Sequence, residues 1–123
     1  MRIGELAART GVSVRSLRYY EEQGLLVSTR SGGGQRHFTE DDIERVDFIQ
    51  RLYVAGLSSR TILELMPCRY APSDENSDAA LERMAQERDR LSAHITELLH
   101  TRDSLDGLIT AARADRDGRR TAA

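Results

Sequence analysis

The sequence predicts a mainly α-helical fold that carries one small β-hairpin and ends in a long helix, and three observations predict it. Apolar residues recur at helical spacing on both sides of a central glycine-rich stretch. That stretch, residues 25–38, joins two short runs through three consecutive glycines, as a hairpin does. From residue 81 onward, apolar residues alternate in steps of three and four, which is typical of a coiled coil.

Composition and charge limit the classes to which the chain can belong. Its 123 residues fit one small domain, or one small domain with an appended element. Because 39% of the residues are apolar and 5% are aromatic, we expect a second copy to complete part of the core. The formal net charge is −2, but residues 1–38 hold six arginines and three acidic residues. This locally basic N-terminal segment favours an anionic partner.

The expected compartment is the cytoplasm, without a membrane partner. Cys68 is the single cysteine, so the chain cannot form an intramolecular disulfide framework, which suggests a reducing environment. No apolar run approaches the ~18 residues of a membrane span, and Met1-Arg2 opens no signal peptide.

Two short helices are predicted first. The segment from Arg2 to Arg9 places apolar residues at helical spacing and stops at Gly11. Ser13 is a natural N-cap for a second helix that ends at Gly24. Two short helices joined in this way are typical of a helix-turn-helix, and periodicity alone fits any small helical hairpin equally well.

A β-hairpin follows, with Arg30 and Arg36 on either side of its glycine-rich tip. A flexible tip between two arginines suits contact with a phosphate backbone, and a merely loose loop is the alternative. A nucleotide-binding loop is excluded, because residues 31–35 have neither the lysine nor the strand-loop-helix setting that such a loop needs.

Two further helices complete the first half. Thr39 with Asp42 forms a capping box for a third helix that ends at Gly56. Ser58 caps a fourth helix that is expected to run through Met66 and to stop at Pro67. Residues 71–78 have the composition of a linker.

A long helix with a heptad repeat occupies the second half and spans about 50 Å at ~1.5 Å per residue. Such a helix needs a partner, because it cannot fold back along its whole length on a small head. Arg88 and Arg102 are the two charged residues at the core positions, where they set the register or lie at the edge of the seam. The predicted dimerisation residues are Leu81, Met84, Leu91, Ile95, Leu98, Leu105 and Ile109.

The string RSLRYYEEQGLL, residues 15–26, resembles the MerR family of bacterial transcription regulators. It follows IGELAARTGVSV and precedes GQRHF, TEDDIERV and GLSSRTI, which extend the resemblance over residues 1–66. The resemblance implies a winged helix-turn-helix head over residues 1–70, with residues 13–23 as recognition helix and 25–38 as first wing. After the linker, it implies a dimerisation helix over 79–112 that pairs antiparallel with a second copy. The polar residues 113–123 are expected to form a flexible tail.

The resemblance also implies the partners and the DNA contacts. The partners are double-stranded promoter DNA, a second copy of the chain, and RNA polymerase at the promoter, where an activated dimer distorts an over-long spacer. Arg15 and Arg18 lie three residues apart on one helix face, from which they can reach base edges or phosphates. Tyr20 is expected to pack inside. The expected DNA contacts are Ser13, Arg15, Arg18, Tyr19, Arg36, His37, Ser59 and Arg60.

Two positions depart from the family pattern in the wing. Gln35 stands where the family has tyrosine, although its amide can still bond a phosphate oxygen. Phe38 also replaces a common tyrosine.

The sequence says least about the signal that such a regulator would sense. Cys68, next to Arg69, is a candidate sensor of electrophiles or oxidants, and a small buried residue is the alternative. One thiol per chain disfavours metal sensing. Because the sequence contains no cofactor motif and no catalytic arrangement, we expect no cofactor and no enzyme activity. A shallow site for an organic effector, an effector-less repressor, an architectural protein and a recombination accessory protein remain alternatives.

Overall fold

The computed structural model describes residues 1–30 and 32–122, and this part of the chain forms five α-helices and one β-hairpin. Ser31 in the hairpin tip and Ala123 in the predicted tail lie outside the described residues. The elements are α1 (Ile3–Thr10), α2 (Val14–Glu22), β1 (Thr29–Arg30), β2 (Arg36–His37), α3 (Glu40–Val54), α4 (Ser59–Tyr70) and α5 (Asp74–Ala122). The chain divides into two units, residues 1–80 and 81–123.

Short-range signals begin and end the first helices as predicted. The hydroxyls of Ser13 and Ser58 each accept a hydrogen bond from the amide three residues further on, at 3.1 and 3.2 Å. Thr39 and Asp42 form the predicted capping box at the start of α3. Gly11 follows α1 with a φ of +75°, a left-handed conformation that favours glycine. These caps satisfy backbone groups that a helix end leaves without partners.

The hairpin is short and antiparallel, as predicted. Thr29 pairs with His37, and Arg30 pairs with Arg36. Directly after β2, Phe38 is buried in the core, and its amide and carbonyl each bond the backbone of Met1 at 2.6 Å. Phe38 is therefore a packing residue that holds the base of the hairpin.

The core of the first unit lies between α1, α2, α3 and α4. Tyr20 is 4% exposed, which confirms its predicted packing role, and its ring stacks on Tyr53 with 5.6 Å between the centroids. The other core residues are Leu6, Val12, Leu17, Leu25, Leu26, Phe38, Val46, Ile49, Ile62 and Met66.

The predicted end of α4 at Pro67 is wrong, because the helix continues to Tyr70 with the proline inside it. A proline removes one backbone hydrogen bond, but contacts with α3 hold the last turn in place. Arg69 forms an ion pair with Glu44. The guanidinium of Arg45 lies 4.0 Å from the centre of the Tyr70 ring, in a cation–π contact.

The long helix starts earlier and ends later than predicted. It begins at Asp74, so only residues 71–73 of the expected linker lie outside a helix. The hydroxyl of Ser73 accepts a hydrogen bond from the amide of Asn76 at 3.0 Å. The negative charges of Asp74 and Glu75 interact favourably with the partial positive charge at the N-terminus of the helix. Residues 113–122 of the predicted tail are helical, and their alanines and arginines are good helix formers.

Within the second unit, the predicted dimerisation residues form an exposed apolar row. Their exposed fractions range from 39% at Met84 to 63% at Leu81. No helix of the described residues is long and apolar enough to cross a membrane.

Candidate DNA-binding face

The second helix buries one side and exposes its arginines on the other. Leu17 and Tyr20 are buried in the core, whereas Arg15, Arg18 and Tyr19 are exposed. Neither Arg15 nor Arg18 forms an ion pair within residues 1–30 and 32–122. The helix therefore presents two guanidinium groups and a phenol to solvent.

Tyr19 connects α2 with the start of α4, two elements that are distant in sequence. Its hydroxyl lies 3.1 Å from the Ser59 hydroxyl, which lies 2.5 Å from the hydroxyl of Tyr53. Arg60 follows with a side chain that is 92% exposed and lies 4.0 Å from Glu64. The structure thus brings together Tyr19, Ser59 and Arg60, which were predicted from separate parts of the sequence.

Glu21 joins the hairpin to α2. One carboxylate oxygen accepts a hydrogen bond from the Ser28 hydroxyl at 3.0 Å. The other lies 3.5 Å from Arg36, within ion-pair distance but without a hydrogen bond. Arg36, a predicted phosphate contact, is consequently held against α2 while half of its side chain stays exposed.

Sequence reasoning missed the roles of Glu21 and Tyr53. Glu21 is the acidic residue of the R-Y-Y-E string that carried the resemblance. The sequence therefore marked this position but did not indicate what its side chain does. Local spacing gives no role to the hydroxyl of Tyr53, whose partner belongs to the next helix.

Ser13 and His37, the two remaining predicted DNA contacts, are less free to bind DNA than the exposed arginines. The Ser13 hydroxyl caps α2 and donates to the Ser16 hydroxyl at 3.0 Å. His37 is half-buried, and Gln35 is exposed near the tip. Arg30 donates to the carbonyl of Gly34 at 3.1 Å, which closes the tip of the hairpin.

An ion pair between α1 and α3 stabilises the charged forms of both partners. Arg9 donates two hydrogen bonds to the carboxylate of Glu40, at 2.6 and 2.9 Å. The bonds raise the pKa of Arg9 and lower the pKa of Glu40. Both side chains are largely exposed, so the pair contributes little to stability.

Cys68 is half-buried within α4, so it is neither a core residue nor a fully accessible thiol. No cluster of three or more His, Cys, Asp or Glu side chains suited to a metal occurs among the described residues. Close to the end of α4, a cleft of about 710 Å³ is lined by Val27, Asp41, Asp42, Glu44, Arg45, Arg69 and Tyr70.

Known proteins resemble this chain in sequence. Nodulation protein NolA from Bradyrhizobium sp. (strain NC92) is 39% identical over 103 residues, which cover 78% of this chain and 44% of NolA. The chain thus spans less than half the length of NolA. The transcriptional regulator ZntR from Escherichia coli (strain K12) is 33% identical over 108 residues, which cover 87% of this chain and 77% of ZntR.

Solved structures resemble it in fold. A MerR family regulator from Bacillus cereus has a TM-score of 0.65 and 30% identity, over 86% of this chain and 77% of its own. HiNmlR, a MerR family regulator without a sensor domain that was solved bound to promoter DNA, has a TM-score of 0.60 and 26% identity. That likeness covers 84% of this chain and 78% of HiNmlR.

The family itself is shown by the match to the first half of the chain. Residues 1–67 match the MerR HTH family regulatory proteins. ZntR is named as a transcriptional regulator, and the matching family is one of regulatory proteins. The fold agrees as well, since a helix-turn-helix head with a two-stranded hairpin precedes a long helix. The chain therefore belongs to the MerR family of helix-turn-helix transcriptional regulators.

Proposed function

We propose that this chain is a sequence-specific DNA-binding regulator that acts as a homodimer on a two-fold promoter site. The observation that carries the proposal is the hydrogen bond between Tyr19 and Ser59, which joins the recognition helix to the start of α4. Around it lie the exposed guanidinium groups of Arg15, Arg18 and Arg60. DNA phosphates and guanine edges are the groups that such arginines bind.

Each part of this face has a different task in the proposal. Arg15 and Arg18 enter the major groove with α2 and contact base edges or flanking phosphates. Arg36 and His37 of the hairpin, and Ser59 and Arg60 of α4, contact the backbone on either side. Such backbone contacts set the position of the protein on the duplex, whereas base contacts give the sequence preference.

The exposed row on α5 supports the homodimer. Its leucines, isoleucines and methionine are separated by heptad steps, and a second copy that pairs antiparallel would bury them. Arg88 and Arg102 pair with the neighbouring Asp89 and Asp103 at 3.2 and 3.4 Å, so their charges can stay in water at the edge of the seam.

The regulatory step follows the family resemblance. A dimer with two heads on one face of the DNA would distort the promoter spacer in response to a signal and thereby act on RNA polymerase in the cytoplasm. HiNmlR, which was solved on promoter DNA, supports the promoter as the target.

Cys68 is the proposed sensor if the signal is an electrophile or an oxidant. It lies one residue before Arg69, whose ion pair with Glu44 holds the end of α4 on α3. Modification of the thiol would disturb this turn. The variant Cys68→Ser should then lose induction by aldehydes and oxidants but keep its DNA affinity, and unchanged induction would end the thiol hypothesis.

The test of DNA binding is a fluorescence-anisotropy titration at one fixed salt concentration. The probe is duplex DNA from upstream of the gene for this protein, and the control is a scrambled duplex of equal length. A specific regulator prefers its own site by on the order of 10³-fold or more. Equal, weak binding to both duplexes would favour an architectural protein, and a fixed salt concentration is needed because phosphate contacts are strongly salt-dependent.

A matched pair of variants locates the binding face in the same assay. Arg18→Ala removes a charge from α2, and Arg116→Ala removes the same charge from the last turns of α5. The proposal expects a loss of affinity only for Arg18→Ala, by about tenfold or more.

A further inference from the structure

Three hydroxyl groups meet where α2, α3 and α4 come together in the first unit. The Ser59 hydroxyl lies between the other two, 3.1 Å from the Tyr19 hydroxyl and 2.5 Å from the Tyr53 hydroxyl. Tyr19 is exposed at the outer end of this chain of hydroxyls, and Tyr53 is half-buried at its inner end.

The ring of Tyr53 is held by its neighbour in the core. It stacks on Tyr20 with 22° between the ring planes, and Tyr20 is buried and hydrogen-bonded to Gln50. A stacked aromatic ring with one face on the core has few alternative positions. The hydroxyl of Tyr53 is therefore a fixed point to which the hydroxyl of Ser59 is tied.

An acceptor bound at the outer end would give this chain of hydroxyls a direction, since either oxygen of each pair can donate. The three hydroxyls carry three protons, and the two hydrogen bonds among them use two. When Tyr53 donates to Ser59 and Ser59 donates to Tyr19, the third proton belongs to Tyr19 and points toward solvent. Hydrogen bonds in such a chain polarise one another, so the inner bond strengthens the outer donor. A phosphate oxygen, which only accepts, is the matching partner.

We propose that Tyr53 is a positioning residue for DNA binding, which acts by holding Ser59 and, through it, Tyr19 in place to bond the DNA phosphates. Tyr53 does not touch the DNA itself. The inference rests on the proposed DNA-binding function and adds a residue of α3 that the sequence analysis does not assign to it.

The test compares two tyrosines of the same stacked pair. Tyr53→Phe keeps the ring but removes the hydroxyl that contacts Ser59, whereas Tyr20→Phe removes the hydroxyl that contacts Gln50. The probe is a duplex selected from randomised DNA by the wild-type chain. Tyr53→Phe should bind it about fivefold more weakly than Tyr20→Phe does, the fold-change expected for one hydrogen bond. Thermal unfolding of both variants reports any loss of folded protein separately.

A double-mutant cycle decides whether Tyr53 acts through Ser59. The effect of Tyr53→Phe on affinity should disappear in a chain that already carries Ser59→Ala, because the intermediate group is gone. The salt dependence should not change, since a neutral hydroxyl releases no counterion. An equal loss with and without Ser59, or equal affinity of Tyr53→Phe and Tyr20→Phe, would overturn the inference. A wild-type chain that selects no duplex would instead refute the proposed function, and this inference with it.

Discussion

Glu21 belongs to α2, and its carboxylate contacts both Ser28 and Arg36 of the hairpin segment. Glu21→Gln keeps an acceptor for Ser28 but removes the charge that holds Arg36. We expect the hairpin to be held less firmly, so that DNA affinity falls by about threefold to tenfold. Anisotropy titration measures this change.

The control for this prediction is Glu22→Gln on the same helix. Glu22 is exposed, and Glu22→Gln removes the same negative charge from α2. Charge alone should raise the affinity of both variants for an anionic partner. Affinity that rises equally in both would therefore contradict the role of Glu21.

The hydroxyl of Tyr20 makes stability depend on alkaline pH. Burial raises the pKa of Tyr20 above its ordinary value of 10.0, because the charged phenolate is disfavoured in the core. A group with a raised pKa contributes its full stability below the unfolded pKa and loses it as the pH rises through the folded pKa. The free energy of unfolding should therefore fall above about pH 10.

Tyr20→Phe isolates this contribution in urea unfolding at several pH values. At neutral pH the variant should lose about 1 kcal/mol, because Gln50 loses its hydrogen-bond partner. Above pH 10 its stability should fall less steeply than that of the wild type. Parallel pH profiles would contradict the raised pKa of Tyr20, because they would mean that its hydroxyl titrates alike in the folded and unfolded states.

At the scale of single residues, roles that depend on distant partners were not predictable from the sequence. Arg18 and Tyr19 could be placed on an exposed helix face because helical spacing is local. The contact of Tyr19 with Ser59 joins residues that are 40 positions apart, and the contact of Tyr53 was equally unmarked.

Among the elements, the last turn of α4 depends on contacts with α3. Tyr70 lies under the guanidinium of Arg45 and meets the Phe48 ring edge-on, with 6.2 Å between the ring centroids. Tyr70→Ala removes both contacts, and the turn then has to tolerate Pro67 without support. The amide of Ala71, bonded to the carbonyl of Pro67 at 2.9 Å, should exchange its hydrogen about tenfold faster.

Leu63→Ala on the same helix is the control, since Leu63 is 44% exposed. Its effect on the exchange of Ala71 should be small. Similar exchange of Ala71 in the two variants would mean that the aromatic contact does not hold this turn.

The helix starts were predictable, whereas the end of α4 was not, and the reason is physical. A cap such as Ser13 or Ser58 bonds an amide three residues away, so the signal is contained in a short stretch of sequence. The end of α4 is held by Arg69 and Glu44, which are 25 residues apart. These tertiary contacts therefore keep α4 helical beyond Pro67, although a proline alone predicts the end of a helix.

For the whole molecule, the proposed homodimer depends on the exposed apolar row of α5. Leu98→Asp places a charge in the centre of the predicted seam, and Ala93→Asp places it on the opposite face of the same helix. Burying unpaired carboxylates is costly, so Leu98→Asp should weaken dimerisation by on the order of a hundredfold or more. Sedimentation equilibrium should give twice the 13.8 kDa chain mass for the wild type and for Ala93→Asp. A wild-type monomer, or a Leu98→Asp dimer of unchanged affinity, would contradict this prediction.

The most direct test of the central claim is a hydroxyl-radical footprint of the wild-type chain on its selected duplex. Two heads that read one site as a symmetric pair should protect two segments, related by a two-fold axis and separated by a whole number of turns of about 10 base pairs each. The Leu98→Asp variant should lose both protections together at the same concentration. A single protected segment, or uniform weak protection along the duplex, would contradict the account of a homodimeric sequence-specific regulator.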